Sequence, residues 1–245
     1  MHLVLTGATG LVGSAVLQTM LTTPSISKIS ILSRRPVAQA EGHAKAKVII
    51  HKDFAEYGED VLEGLRDVKG VVWALGISAT QVGKEEYERI HLTYPLSFAR
   101  ALSKTTSPSP VTFIYISGEG ATPTPSILTA HWAHTKGLAE SSLLALSKDP
   151  AYSNLRPFSV RPGGVDMKDH TEIHGFVGKR GLAESVLLPV LRVLPGVKGL
   201  MSPTRELGKV LVGLTTGDGE AVEGGGVSGE GRTLNNAAVR RLAGI

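Results

Sequence analysis

Thr6-Gly7-Ala8-Thr9-Gly10-Leu11-Val12-Gly13 restricts the fold more than any other stretch of this chain. It follows a short apolar run, Leu3-Val4-Leu5, and opens an apolar-periodic segment from Leu11 to Leu21. Together they predict a strand, a glycine turn and a helix. A glycine at position 7 lets the chain turn sharply where a side chain would be strained. Gly10 lets phosphates approach the backbone, and Gly13 lets helix and strand pack closely. The new helix points free N–H groups and partial positive charge at whatever lies over the turn, a fit for a dinucleotide pyrophosphate. The spacing is G-x-x-G-x-x-G, and with 29 glycines in 245 residues it carries weight only because a strand precedes it and a helix follows.

The rest of the chain repeats the alternation. Strands are expected at Lys28–Ser33, Val48–Ile50, Val71–Leu75, Val111–Ile116 and Phe158–Arg161, and helices at Lys84–Ser103 and His131–Ser147. Pro95 should kink or break the first of these helices. Several strands are continuous apolar runs, as strands buried on both faces are. The expected fold is α/β, a doubly wound parallel-sheet Rossmann fold in three α/β/α layers, with ligands beyond the carboxyl ends of the strands. We read residues 1–245 as a single domain, with its core in 1–165 and a small substrate-side extension in 166–245. In that extension, helices are expected at Leu182–Leu194, Pro203–Leu214 and Asn236–Ala243. A glycine-rich loop is expected from Gly217 to Gly231, with Ala221-Val222 or Val227 free to form an edge strand.

Composition narrows the function. The absence of cysteine excludes disulfides, thiolate chemistry and cysteine-bound metal, and points to a cytoplasmic setting. No metal site is expected. The net charge is +4, but the basic residues are dispersed, so no nucleic-acid partner is expected. The sequence shows no signal peptide, and no run reaches the ~18 apolar residues of a membrane-spanning helix. Val186–Pro195 comes nearest, interrupted by Arg192 and two prolines. The positive charge leaves peripheral attachment to an anionic membrane open, as composition leaves monomer and homodimer open.

The residue after the second strand sits beside the adenosine ribose in a dinucleotide fold, where an acid selects NAD and an arginine pairs with the 2′-phosphate of NADP. Here Ser33-Arg34-Arg35 occupies that place, without an acid. Guanidinium groups contact phosphate bidentately, so the expected cofactor is NADP, with NAD possible. Asp53 and Phe54 are candidates for the adenine, and Ala74-Leu75-Gly76 for backbone closing over the adenosine.

These stretches, with Ile116-Ser117-Gly118, Lys136-Gly137 and Arg161-Pro162-Gly163, resemble the short-chain dehydrogenase/reductase superfamily, in its atypical NAD(P)-binding branch. Leu75-Gly76, Ser117-Gly-Glu-Gly-Ala121 and Lys136-Gly-Leu-Ala-Glu140 are similar to a fungal branch of mitochondrial-outer-membrane-associated proteins, related to an animal Tat-interacting tumour-suppressor reductase. The likeness covers residues 2–165 well. It implies a Ser that polarises the substrate carbonyl, a Tyr proton donor, a Lys four residues later that holds the nicotinamide ribose, and often an Asn on the preceding helix. Ser117 and Lys136 match the Ser and the Lys. Position 132 is Trp, and His91 stands where the Asn usually lies. The resemblance also implies cofactor contacts from Arg161, Pro162 and Gly163.

An indole donates a hydrogen bond but exchanges no proton near neutral pH, and losing a general acid costs about 10²–10⁴-fold. His91, His131, His134 and Tyr115 are the candidate replacements. Two functions follow: an NADP-dependent oxidoreductase acting on a small, partly apolar carbonyl or alcohol, or a cofactor-binding, catalytically weak redox-sensing or scaffold protein. A sugar-nucleotide epimerase ranks third. A substrate would lie between Ser117, the loop after Gly163 and the segment from Phe176 to Leu194. The resemblance adds the mitochondrial outer membrane as an alternative location.

Overall fold

The computed structural model describes residues 1–178 and 197–245. The expected helix at Leu182–Leu194 and the Val186–Pro195 run lie outside the described residues. The first strand, β1 (His2–Thr6), is buried along its whole length and is followed by α1 (Leu11–Thr22). Next come β2 (Lys28–Ser33), β3 (Ala46–Ile50), α2 (Glu59–Glu63), β4 (Val68–Trp73), α3 (Lys84–Glu88), α4 (Tyr94–Thr106), β5 (Val111–Ile116), α5 (His131–Lys148) and β6 (Leu155–Val160). The described residues after β6 add β7 (Gly164–Asp166), β8 (Met201–Pro203), α6 (Thr204–Thr216), β9 (Val227–Ser228), β10 (Thr233–Leu234) and α7 (Asn236–Ala243).

Eight strands form one sheet in the order β3-β2-β1-β4-β5-β6-β10-β9, parallel except at β9. The order reverses at β1, so the crevice at the carboxyl ends of β1 and β4 is where such a sheet binds a ligand. One core joins Leu3, Leu5 and Ile31 to α1 and α6, and the other joins Val4, Val71 and Trp73 to α4 and α5. Gly208 of α6 lies against α1 so closely that a Cβ would stand 2.9 Å from the Ala15 carbonyl oxygen. β7 and β8 pair separately.

Three local expectations change. The helix expected over Lys84–Ser103 divides into α3, a π-helical turn at Arg89–Thr93 and α4, with Pro95 in the first turn of α4, where its missing N–H costs nothing. β4 begins at Val68 and ends at Trp73, so Ala74 and Leu75 belong to the turn rather than the strand. β6 starts at Leu155, ahead of Pro157. That proline is tolerated because β10 pairs only with Ser159 and Val160 on its other side. Val227 does form an edge strand, while Ala221-Val222 stays in the loop.

Candidate functional site

The glycine turn closes on itself. Gly7 has φ +67°, and the Gly10 N–H donates to the Gly7 carbonyl at 2.9 Å. A Cβ on Gly7 would be driven into the Ala74 carbonyl, and one on Gly13 into the Gly7 carbonyl. Gly10 differs: a Cβ there would meet only the Gly7 oxygen at 3.3 Å, so its outer side is open to a ligand. The Thr6 hydroxyl accepts the Leu75 N–H at 3.1 Å and ties the turn after β4 to the turn after β1. Ala8 is buried and receives the Ser14 hydroxyl on its carbonyl at 3.0 Å, while Leu11 and Val12 begin α1.

A cleft of about 410 Å³ opens beside this corner, lined by Gly7, Thr9, Ser33, Arg34, Arg35 and Leu75 among others. The Ser33 hydroxyl donates to the Arg35 carbonyl at 2.7 Å and shapes the loop, and the Arg35 guanidinium donates to the Thr9 hydroxyl at 3.1 Å. Arg34 is exposed. The two guanidinium groups thus stand at the mouth of a cleft floored by bare backbone, an arrangement that fits the phosphorylated ribose of a dinucleotide. Phe54 reaches this cleft from below but is otherwise core, packed edge-on to Trp73 at 5.9 Å. Asp53 lies outside it, its carboxylate accepting the Ala55 N–H at 2.9 Å.

Further along the sheet edge, Ser117 follows the last residue of β5. This serine is 3% exposed and its hydroxyl has no hydrogen-bond partner among the described residues. The Lys136 ammonium, carried in from α5, donates to the Ser117 carbonyl at 3.0 Å and the Ile116 carbonyl at 3.4 Å. Burial pulls the Lys136 pKa down to about 8, although Glu140 one turn further on favours its charge. Gly137 lets α5 press against the Thr122 backbone. Arg161 is committed elsewhere: its guanidinium binds the buried Glu140 carboxylate through both nitrogens, Nε to Oε1 at 2.8 Å. A charge already paired in this way has little left for a cofactor. The Pro162 carbonyl accepts the Glu119 N–H at 3.0 Å, and the Gly163 N–H donates to Ser202 at 2.9 Å.

The π-helical turn aims His91 under the turn after β4. Its Nε2 stands 3.0 Å from the Ile77 carbonyl oxygen and 3.2 Å from the Ile77 N–H, so either tautomer finds a partner in the same residue. A Cβ on Gly76 would come within 2.7 Å of the imidazole, and the Tyr87 ring packs against it at a tilt of 32° with centroids 4.2 Å apart. His91 Nδ1 is buried without a partner. Burial, reinforced by the Lys136 charge, lowers the His91 pKa to about 4, so the ring is neutral at pH 7. His91 is therefore a brace for the Gly76–Ile77 turn, a role the sequence did not suggest. Tyr87, four residues earlier on the same helical path, was the signal for it.

The other candidate proton donors are differently placed. Tyr115 is fully buried, donates to the His91 carbonyl at 2.9 Å, and has its pKa driven well above the usual value by burial. His131 is half-buried, with Nε2 3.6 Å from Glu88. His134 is half-buried on α5. Trp132 lines a slot of about 570 Å³ with Gly118, Glu119, Pro162, Gly163 and Asn236. Sequence reading also missed Glu119 and Asn236: the Glu119 carboxylate accepts the Asn236 N–H at 2.9 Å and docks α7 on this slot.

No protein-family model matches the chain. Leucinostatins biosynthesis cluster protein T of Purpureocillium lilacinum is 33% identical over 260 aligned positions, covering 98% of this chain and 94% of that protein. The mitochondrial protein FMP52 of Candida albicans is 25% identical, with 84% of each chain covered. Among solved structures, the PhqB reductase domain of Penicillium fellutanum superposes with a TM-score of 0.63 at 17% identity over 88% of this chain, which spans 64% of that one. The Bordetella bronchiseptica enzyme WbmF, solved with NAD⁺, gives 0.67 at 14% identity over 99% of this chain and 76% of its own. These two show the fold. The identity across nearly the whole of the leucinostatin-cluster relative makes this chain a member of the same family as that protein.

Proposed function

We propose that the chain is an NAD(P)H-dependent oxidoreductase of the atypical branch, with NADPH preferred, acting on a small, partly apolar carbonyl or alcohol. The observation that carries this is one sheet edge holding a bare glycine corner flanked by Arg34 and Arg35, and, further along, Ser117 with Lys136. Gly7 to Gly13 would hold the pyrophosphate, Arg34 and Arg35 the 2′-phosphate, and Lys136 the nicotinamide ribose. A bound reduced nicotinamide supplies a hydride, two electrons with one proton, and is itself oxidised. The chain's own part is electrostatic. The Ser117 hydroxyl has its hydrogen free for the oxygen of an incoming carbonyl. The Lys136 ammonium, tied to two backbone carbonyls, places positive charge beside that oxygen. The name of the leucinostatin-cluster relative supports a substrate from fungal biosynthetic chemistry.

Calorimetry with NADPH and NADH, followed by turnover of an aldehyde, ketone and quinone panel, tests this directly. Heat from NADPH with Kd at least tenfold below that of NADH, and turnover of a panel member, is the expected result. No heat from either coenzyme overturns it.

Trp132 favours a second reading, a cofactor-binding protein that is catalytically weak. There, Trp132→Tyr raises activity, and Lys136→Ala weakens NADPH binding without loss of any turnover. No described helix is long and apolar enough to cross a membrane. We place the protein in the cytoplasm or at the surface of the mitochondrial outer membrane; the name of the Candida relative supports a mitochondrial setting. Flotation with anionic vesicles at two salt concentrations separates the two, since surface attraction fades with screening.

A further inference from the structure

The slot at Trp132 bears on which carbonyl compounds suit the site, and this inference rests on the oxidoreductase reading above. Trp132 is half-buried, and its six-membered ring lies 3.5 Å and 3.7 Å from where Cβ atoms on Gly118 and Gly120 would stand. The indole therefore fits against a turn without side chains. Opposite, Gly163 and Gly164 expose backbone after β6, and a Cβ on Gly199 would meet nothing within 4 Å. A slot with one aromatic wall, glycine backbone on its other sides and polar groups at Glu119, Asn235 and Asn236 admits a flat molecule with polar edges more readily than a bulky one.

Acid–base chemistry points the same way. The Ser117 hydroxyl has no partner, and Lys136 supplies charge, but nothing at position 132 releases a proton. Reduction of a saturated ketone leaves an alkoxide, with basicity near that of hydroxide, whose parent water has a pKa of about 15.7. Reduction of a quinone or conjugated enone leaves an oxygen anion with basicity nearer that of a phenolate, about 10 as in tyrosine. Such an anion takes its proton from water without help. Roughly six pH units that a tyrosine acid would have to supply are thereby removed by the substrate itself.

We infer that this slot takes flat, conjugated carbonyl compounds of the quinone class, with Trp132 as the stacking wall. The arriving hydride forms a C–H bond at the carbon β to the carbonyl. The C=C π pair shifts toward the carbonyl, and its oxygen carries the charge and takes a proton from water. The carbon that received the hydride then loses a proton to solvent while the second carbonyl oxygen takes one up, and the ring becomes aromatic as the hydroquinone. The organic substrate gains two electrons and two protons overall, one proton within the hydride and one from solvent.

The two tryptophans allow a test that does not depend on turnover. Trp73 is fully buried, so added ligand reports through Trp132. Titration of the coenzyme-free protein with 2-methyl-1,4-naphthoquinone should quench tryptophan emission with a Kd at least tenfold below that of the saturated bicyclic ketone 2-decalone, measured by displacement. Trp132→Phe should abolish the quench, and Trp132→Ala should weaken quinone binding about tenfold by calorimetry. With NADPH, the quinone should turn over at least 100-fold more efficiently than 2-decalone, and Trp132→Tyr should narrow that ratio at least tenfold by raising decalone turnover. Equal affinity for the two ligands, or a quench that survives in Trp132→Phe, overturns the inference. NADPH heat without quinone preference overturns it while leaving the oxidoreductase reading. Absence of heat from either coenzyme takes down both.

Discussion

The two ends of the central sheet each hold a buried histidine and a buried serine, and they treat them in opposite ways. At the amino-terminal edge, Asp67 accepts from His2 Nδ1 at 2.6 Å, and Ser30 donates to His2 Nε2 at 2.8 Å. The residue types and distances are those of a hydrolytic triad. But every side-chain polar atom of the histidine and the serine has its partner, and a serine hydroxyl committed in this way is a structural clasp. At the carboxyl edge, Ser117 and His91 are equally buried, yet the serine hydroxyl and the histidine Nδ1 have no partner. Unsatisfied buried polar atoms are destabilising, and each keeps its bonding capacity. The difference teaches that residue type alone does not separate the two ends; the serine hydroxyl at the carboxyl end is the one with capacity for a further partner.

The largest expected effect separates the two serines. Ser117→Ala should lower any carbonyl turnover by 10²–10³-fold, the loss typical of one donor to a developing oxyanion. The same change should leave stability unchanged or raise it by up to ~1 kcal/mol, because it removes a buried hydroxyl without a partner. Activity assays and urea melts on one preparation give both numbers. A Ser117→Ala protein that is clearly less stable and equally active would place Ser117 in the same class as Ser30.

The two histidines come next, distinguished by acid. At pH 7 both folded and unfolded chains hold His91 neutral. Below the ordinary 6.5 the unfolded chain binds a proton that the folded ring refuses until about 4, so stability falls as pH falls. Over that interval, at about 1.4 kcal/mol per pH unit, His91 alone accounts for ~3 kcal/mol. His2 is also held below its usual value, mainly by burial, and adds in the same direction, less strongly because Asp67 favours its charge. Urea melts from pH 7 to 4.5 on wild type and His91→Gln should show a steep acid loss in the first and a shallow one in the second. Equal slopes would mean that the clasp at the other end governs acid sensitivity.

Legibility in the sequence followed the same division. Apolar runs such as Leu3–Leu5 and Val111–Ile116 disclosed the strands, because burial on both faces leaves an uninterrupted signature. Gly7 and Gly13 were readable because local turn geometry demands them. Ser117 and Lys136 were readable only through the resemblance. His91 as a brace was not readable, since it depends on a π-helical turn that shifts its direction and on Ile77, fourteen residues away across a turn. Arg161 was drawn toward the cofactor by the resemblance. Its partner Glu140 lies on a helix that only tertiary packing brings alongside. Lys69-Gly70 and Pro157 hid the starts of β4 and β6, because neither reads as strand in isolation.

A smaller effect is expected at the cleft mouth, where Arg34 and Arg35 resemble Ser117 in having capacity to spare. Arg35 has a single exposed contact, to Thr9, which a phosphate can replace. Arg35→Ala should raise the NADPH Kd about tenfold, a charge-assisted contact of ~1.4 kcal/mol, and leave the NADH Kd within twofold. Loss of affinity for both coenzymes alike would make Arg35 a support for the Thr9 turn rather than a selector.

The smallest effect is the one that closes the comparison. Ser30→Ala removes the donor to His2 Nε2 and leaves a buried acceptor unsatisfied, at a cost of about 1 kcal/mol. Activity should not change, because Ser30 sits at the opposite edge of the sheet from the cleft. Pairing the change with His2→Phe should recover part of the loss, since replacing both partners with apolar groups removes the desolvated nitrogen as well as the missing bond. A double mutant as unstable as the sum of the singles would mean that His2 stabilises through Asp67 alone, whose carboxylate is 64% exposed and so contributes little. Recovery would establish that the triad-like geometry at this end is held by mutual satisfaction, the condition that the Ser117 end lacks.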